Sequence, residues 1–172
     1  MTETRKKRLA NDYRELMSME GPYLSVRPIS GRAPYYDEYE LTIRIRTIIG
    51  PEPTYRSVHI VRLSFPAGYP TKDYPRIVMV TKPYPYHPNC FKSGAWCYGS
   101  ASHFTEGTGN FLVRYMQTLQ YVSHMIDVTS PANLDAANWY EQNKHNTGLF
   151  PCDTSKLPQP VAGGMIIKNL KK

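Results

Sequence analysis

Long apolar runs are missing from the 172 residues. None approaches the roughly 18 consecutive apolar positions of a membrane-spanning helix. The first residues are charged and lack the apolar core of a secretory signal, so a cytoplasmic setting is expected, with no membrane partner. Cysteine is scarce too. Cys90, Cys97 and Cys152 cannot all pair with one another, and no Cys-x-x-Cys or Cys/His spacing suits zinc. The sequence therefore argues against a disulfide scaffold and a metal site and asks for no cofactor, while a reducing compartment leaves room for a free working thiol. Acidic residues are the third shortage. There are 14 against 21 basic ones, giving a net charge of +7 and a pI near 9.3. Such a balance invites a nucleic-acid partner, but the placement of the charge argues against one. Arg5, Lys6, Lys7 and Arg8 crowd one end and Lys168, Lys171 and Lys172 the other, with a nearly neutral body between.

The body is 41% apolar and 12% aromatic, enough for one domain with its own core. Leu9, Tyr13, Leu16 and Met17 form one helical face within about 3–19, and Gly21-Pro22 ends it. Tyr23 to Pro28 reads as a short strand, followed by a loop over 30–34. Leu41, Ile43 and Ile45 alternate with polar residues, as do His59, Val61, Leu63 and Phe65, and Arg76 to Thr81 supplies a further strand. Short connections favour an antiparallel meander. From Lys82 to Gly109 no period survives, and a segment of that length in a small domain is usually functional. A central helix is expected with Asn110 as cap and Phe111, Leu112, Tyr115, Met116, Leu119, Val122 and Ile126 on its inner side. Ser130-Pro131 is expected to open the next helix. The predicted fold is α+β: an N-terminal helix, a four-stranded antiparallel meander, a long irregular active-site segment, then central and C-terminal helices. The domain is expected to span 1–150, with 151–172 as a mobile or loosely packed tail.

The irregular segment holds His87-Pro88-Asn89 and Gly94-Ala95-Trp96-Cys97. Cys97 by itself reads as a small buried side chain or as a nucleophile, and His103 and His124 are partners for it by residue type only. A thiol that takes an acyl group from another thioester needs no dedicated base. It needs a hydrogen-bond donor for the developing oxyanion, and a side-chain amide such as Asn89 supplies one. Asn89 alone reads equally as a turn stabiliser.

Several ordered motifs resemble the ubiquitin-conjugating enzymes, the carriers that hold ubiquitin or a ubiquitin-like protein as a thioester. Arg8-Leu9 with Glu15-Leu16 resembles the start of that family's first helix. Phe65-Pro66, Tyr69-Pro70 and Pro75 resemble its strand-to-proline run, and His87-Pro88-Asn89 its signature tripeptide. Gly94 and Cys97 follow the asparagine at the family's spacing, and Pro131 to Ala137 resembles the opening of its penultimate helix. The resemblance implies that Cys97 forms the thioester. It implies that Asn89 supports the loop or the oxyanion, and that His87 and Pro88 shape the segment. Activating enzyme, modifier and, for some members, a ligase are the implied partners. The basic run Arg5 to Arg8 is expected to steer the activating enzyme. Departures also appear. Tyr98-Gly99 replaces the usual Leu-Asp, Thr108-Gly109-Asn110 replaces Trp-Ser-Pro, and Ser130 stands where an acid often orients the incoming lysine. Asp127, or Asp153 from the tail, is expected to take that task. Such divergence suits a prokaryotic branch, including relatives that resemble components of antiviral defence. A non-catalytic, partner-binding variant of the same fold is the alternative, against which the presence of both Asn89 and Cys97 speaks.

Overall fold

A computed structural model describes residues 1–99, 107–151 and 157–158. Helix α1 (Glu3–Ser18) starts at Thr2, whose hydroxyl accepts the Arg5 N–H. Leu9 and Leu16 point into the core. Strands β1 (Leu24–Arg32), β2 (Tyr35–Ile43), β5 (His59–Ser64) and β6 (Arg76–Met79) form one antiparallel sheet in that order, as the meander predicts. Alternation fixes its faces. Tyr39, Leu41, Ile43, Val61, Leu63, Ile77 and Met79 are buried, while Thr42, Arg62 and Val78 look outward. Helix α2 (Thr108–Leu119) adds Phe111, Leu112, Tyr115, Met116 and Leu119 to the same core, and α3 (Leu134–Asn143) follows.

Several boundaries differ from expectation. Strand β1 runs on to Arg32 instead of stopping at Pro28, and the chain turns directly into β2. Gly31 permits this turn. Its φ is +101°, and an ideal Cβ would lie 2.7 Å from the Tyr35 oxygen. Pro28 is tolerated because β1 is an edge strand and its pairing bulges beyond Pro28. Glu20 accepts the outward N–H of Val26 on the same open edge at 3.0 Å. A second small sheet, β3 (Thr47–Gly50) with β4 (Thr54–Arg56), is too short to show as a period in the sequence. Helix α2 begins at Thr108, with Gly107 at the cap, so Asn110 lies within it. It ends before Tyr121, whose φ of 59° is left-handed, and Val122 and Ile126 fall outside it. Asn133, not Ser130, caps α3, accepting the Ala136 N–H at 3.2 Å. Pro151 and Leu157 are buried.

Two charged residues on the inner side of α1 hold the layers together. After β5 the chain turns through Pro66 and Pro70, and the Tyr69 N–H donates to the Pro66 oxygen at 3.0 Å. The Arg5 guanidinium donates to the Phe65, Pro66 and Tyr69 oxygens at 2.9, 2.5 and 3.0 Å. Asp12, 1% exposed, accepts from the Tyr69 hydroxyl at 2.8 Å, the Thr108 hydroxyl at 2.7 Å and Arg8 Nε at 3.1 Å. Burial pushes the Asp12 carboxyl above its ordinary range, although Arg8 opposes this. Arg5→Ala should therefore cost about 2–4 kcal/mol in urea unfolding, whereas Lys7→Ala on the exposed side should stay within about 0.5 kcal/mol. Equal effects would contradict the clamp.

Candidate active site

The segment without a period in the sequence is stitched to the sheet. The Met79 N–H donates to the Gly94 oxygen at 2.9 Å, and the Trp96 N–H to the Ile77 oxygen at 3.1 Å. Residues 94–96 thus lie along the open edge of β6. Residues 89–97 form a small hairpin. Cys97 N–H donates to the Asn89 oxygen and Phe91 N–H to the Ala95 oxygen, both at 2.8 Å, and Cys90 stands opposite Trp96. Gly94 closes the turn with φ +87°; a Cβ there would lie 2.8 Å from both the Met79 oxygen and the Tyr84 ring.

This register sorts the side chains. Residues directly opposite on a ladder share a face, and neighbours along a strand do not. Cys90 and Trp96 therefore face the core and are buried, while Asn89 and Cys97 share the other face and are half-buried. Burial raises the Cys90 thiol far above its ordinary range, which removes it as a nucleophile.

His87 sits beneath this face. Its Nδ1 accepts the Asn89 N–H at 2.9 Å, and its ring lies 4.3 Å from that of Tyr121. Complete burial pushes its pKa down to about 3, so it is neutral and acts as an acceptor that shapes the loop. Tyr121, which the sequence did not single out, also donates its hydroxyl to the Tyr86 oxygen. The Pro88 oxygen accepts the Asn133 N–H at 3.0 Å, drawing the segment before α3 against the tripeptide.

Asp127 lies on that crossing segment. Its backbone N–H donates to Asn89 Oδ1 at 2.9 Å. Its exposed carboxylate accepts the Thr129 hydroxyl at 2.7 Å, the Thr129 N–H at 2.8 Å and the Ser130 N–H at 3.1 Å, all on Oδ1. The Thr129 hydroxyl, then the two amides, hold it below the usual carboxylate range. Ser130 is exposed and contributes its amide to this turn. The structure brings Cys97, Asn89, His87, Pro88, Asp127 and Ser130 into one neighbourhood. His103, Cys152 and Asp153 lie outside the described residues.

The basic run is divided. Arg5 is 8% exposed and bonded to three carbonyls, so it is not the solvated steering charge expected. Arg8 is engaged with Asp12 and the Tyr69 hydroxyl. Lys6 pairs with Glu3 at 2.8 Å, and Lys7 is exposed. Both lysines line a groove of about 340 Å³ along α1, together with Asn11, Arg14 and Tyr35. Among the described residues, no three His, Cys, Asp or Glu side chains are placed to hold a metal. No described helix is long and apolar enough to cross a membrane.

A helix, a four-stranded antiparallel meander, a sheet-edge segment bearing Asn89 and Cys97, and further helices define a ubiquitin-conjugating-enzyme-like fold. A solved structure described as a novel ubiquitin-conjugating enzyme superimposes with a TM-score of 0.56 over 81% of this chain and 87% of that one, at 18% identity. No family model matches the chain, and no curated protein matches it in sequence.

Two buried histidines make the fold acid-sensitive. His87 titrates at about 3 and His59, which donates to the Ile45 oxygen, at about 4, both lowered chiefly by burial. The unfolded chain protonates near 6.5, so it binds more protons than the folded chain between 6.5 and these values. Stability should be fully present above 6.5 and fall on acidification, by up to about 1.4 kcal/mol per pH unit for each histidine. Urea midpoints at pH 7.5, 6 and 5 check this. The slope should flatten in His87→Asn, and an unchanged slope would show that His87 is not buried neutral.

Proposed function

We propose that the protein carries ubiquitin or a ubiquitin-like protein as a thioester on Cys97 and transfers it to a lysine amine. The observation that carries this reading is the hairpin register, which presents Asn89 and Cys97 side by side on one face with Asp127 tied to that asparagine. In loading, the Cys97 sulfur bonds to the modifier's terminal carbonyl carbon, the activating enzyme's thioester bond breaks, and its thiol departs with a proton. In discharge, the lysine ammonium first gives one proton to water, the neutral nitrogen attacks that carbonyl carbon, the oxyanion collapses, and Cys97 leaves as the thiol with the nitrogen's second proton. With Asn89 Oδ1 engaged by Asp127, its amide NH2 is the end left to meet the oxyanion. Asp127 stays ionised, which makes it a poor proton acceptor and a good anchor for a lysine ammonium. Lys6 and Lys7, which line the groove on α1, are the charges assigned in this reading to the encounter with an acidic surface of the activating enzyme. The setting that fits the divergent flanks of Cys97 is a cytoplasmic, prokaryotic conjugation system, of which antiviral pathways are one kind.

Incubation with a cognate activating enzyme, modifier and ATP should give an adduct that thiol reductant removes and Cys97→Ala abolishes. Cys97→Ser should trap a reductant-resistant ester. Asn89→Ala should still load but discharge to lysine about 10²-fold more slowly. A wild type that never loads would leave the non-catalytic, partner-binding alternative. Asp127→Asn keeps the turn's acceptor and loses the charge. Discharge to free lysine should slow roughly threefold, the scale of an exposed charge pair, while discharge to neutral hydroxylamine stays unchanged. Equal slowing of both nucleophiles would assign Asp127 to loop structure alone.

A further inference from the structure

Arg114 stands in the middle of α2, half-buried. One guanidinium N–H donates to the Tyr98 oxygen at 3.1 Å, and the guanidinium carbon lies 5.8 Å from the centre of the Trp96 ring. Trp96 and Tyr98 are the two residues flanking Cys97. Trp96 is itself wedged against Phe111 at 5.1 Å and Tyr115 at 5.3 Å between ring centres, so the ring that Arg114 covers is a fixed surface.

We infer that Arg114 is a positioning residue for Cys97, an inference that rests on reading Cys97 as the nucleophile. The Asn89 oxygen fixes the amide before the Cys97 side chain, at 2.8 Å. The Arg114 bond fixes the Tyr98–Gly99 peptide, one residue beyond it. Immediately beyond lies Gly99, with φ +90° and no atom within 4 Å of where a Cβ would be. The Arg114 bond thus anchors the chain one residue after the nucleophile, just before a glycine in a left-handed conformation. A planar guanidinium can lie over an indole and donate in its own plane at once, and an ammonium cannot match both. Arg114 thus ties the orientation of Cys97 to α2, while Asn89 ties it to the sheet.

The test uses a Trp139→Phe background, in which Trp96 is the remaining tryptophan. Arg114→Met and Arg114→Lys are compared by melting temperature, Trp96 emission, iodoacetamide alkylation of Cys97 followed by mass spectrometry, and single-turnover discharge of the loaded thioester. Arg114→Met should shift the emission, change alkylation at least about threefold and slow discharge about tenfold, with melting changed by only a few degrees. Arg114→Lys, which keeps a charged donor for the Tyr98 oxygen but loses the stacked plane, should recover alkylation only in part. Unchanged emission and alkylation in Arg114→Met would overturn the inference. So would a lysine variant that tracks the methionine variant in both melting and alkylation, the mark of general destabilisation. Should Arg114→Met melt below the assay temperature, Arg114→Gln is judged by the same readings. Alkylation and emission need no activating enzyme. A wild type that fails to load therefore counts against the proposed function and leaves these two readings to decide Arg114.

Discussion

The outer edge of β6 is the constraint on which the site depends. A strand that ends a sheet leaves amides and carbonyls without partners. Here the Met79 amide and the Ile77 carbonyl are met by Gly94 and Trp96. That docking is possible only because residue 94 has no side chain and tolerates a left-handed backbone. Once Gly94 is seated, strand alternation does the rest. Trp96 must face the core, Cys97 must face away from it, and the opposite position of the hairpin must be Asn89. The orientation of the thiol is a consequence of backbone pairing before any side-chain contact is considered.

The site is then stiffened from three directions. Neutral His87 supports the Asn89 amide from below. The segment 127–133 closes from the side through Asp127 and Asn133. Helix α2 reaches Tyr98 from behind. The start of α2 is itself tied to α1 through Thr108 and Asp12, and α1 to the end of β5 through Arg5. Charge is thus handled in two ways. Asp12 and Arg5 are buried with their partners satisfied and serve the frame. Asp127 is left at the surface, ionised and beside Asn89.

Much of the architecture was legible because it rests on periods. The α1 face, the alternation of Leu41 and Ile43 and of Val61 and Leu63, and the order of the meander all follow from spacing. The His-Pro-Asn tripeptide and the eight-residue step to Cys97 located the neighbourhood of the site. What stayed hidden depends on partners distant in sequence. Arg5 looked like one of four solvated cations, because nothing local shows that three carbonyls far along the chain converge on it. Ser130-Pro131 looked like a helix start, because the pull of the Pro88 carbonyl on the Asn133 amide is a tertiary effect. Tyr121 gave no signal, since the groups it meets, the His87 ring and the Tyr86 oxygen, lie far from it in the sequence.

The opposite edge of the sheet meets a different fate. On β1 the outward amide of Val26 is occupied by Glu20, and the next outward position is Pro28, which has no amide to offer. A bulge follows at once. Pairing of a second strand along that stretch is disfavoured. One border of the sheet has been recruited to build the thiol-bearing hairpin, and the other has been made sterile. For a molecule whose proposed work consists of brief encounters, growth of the sheet from copy to copy is thereby disfavoured at the backbone.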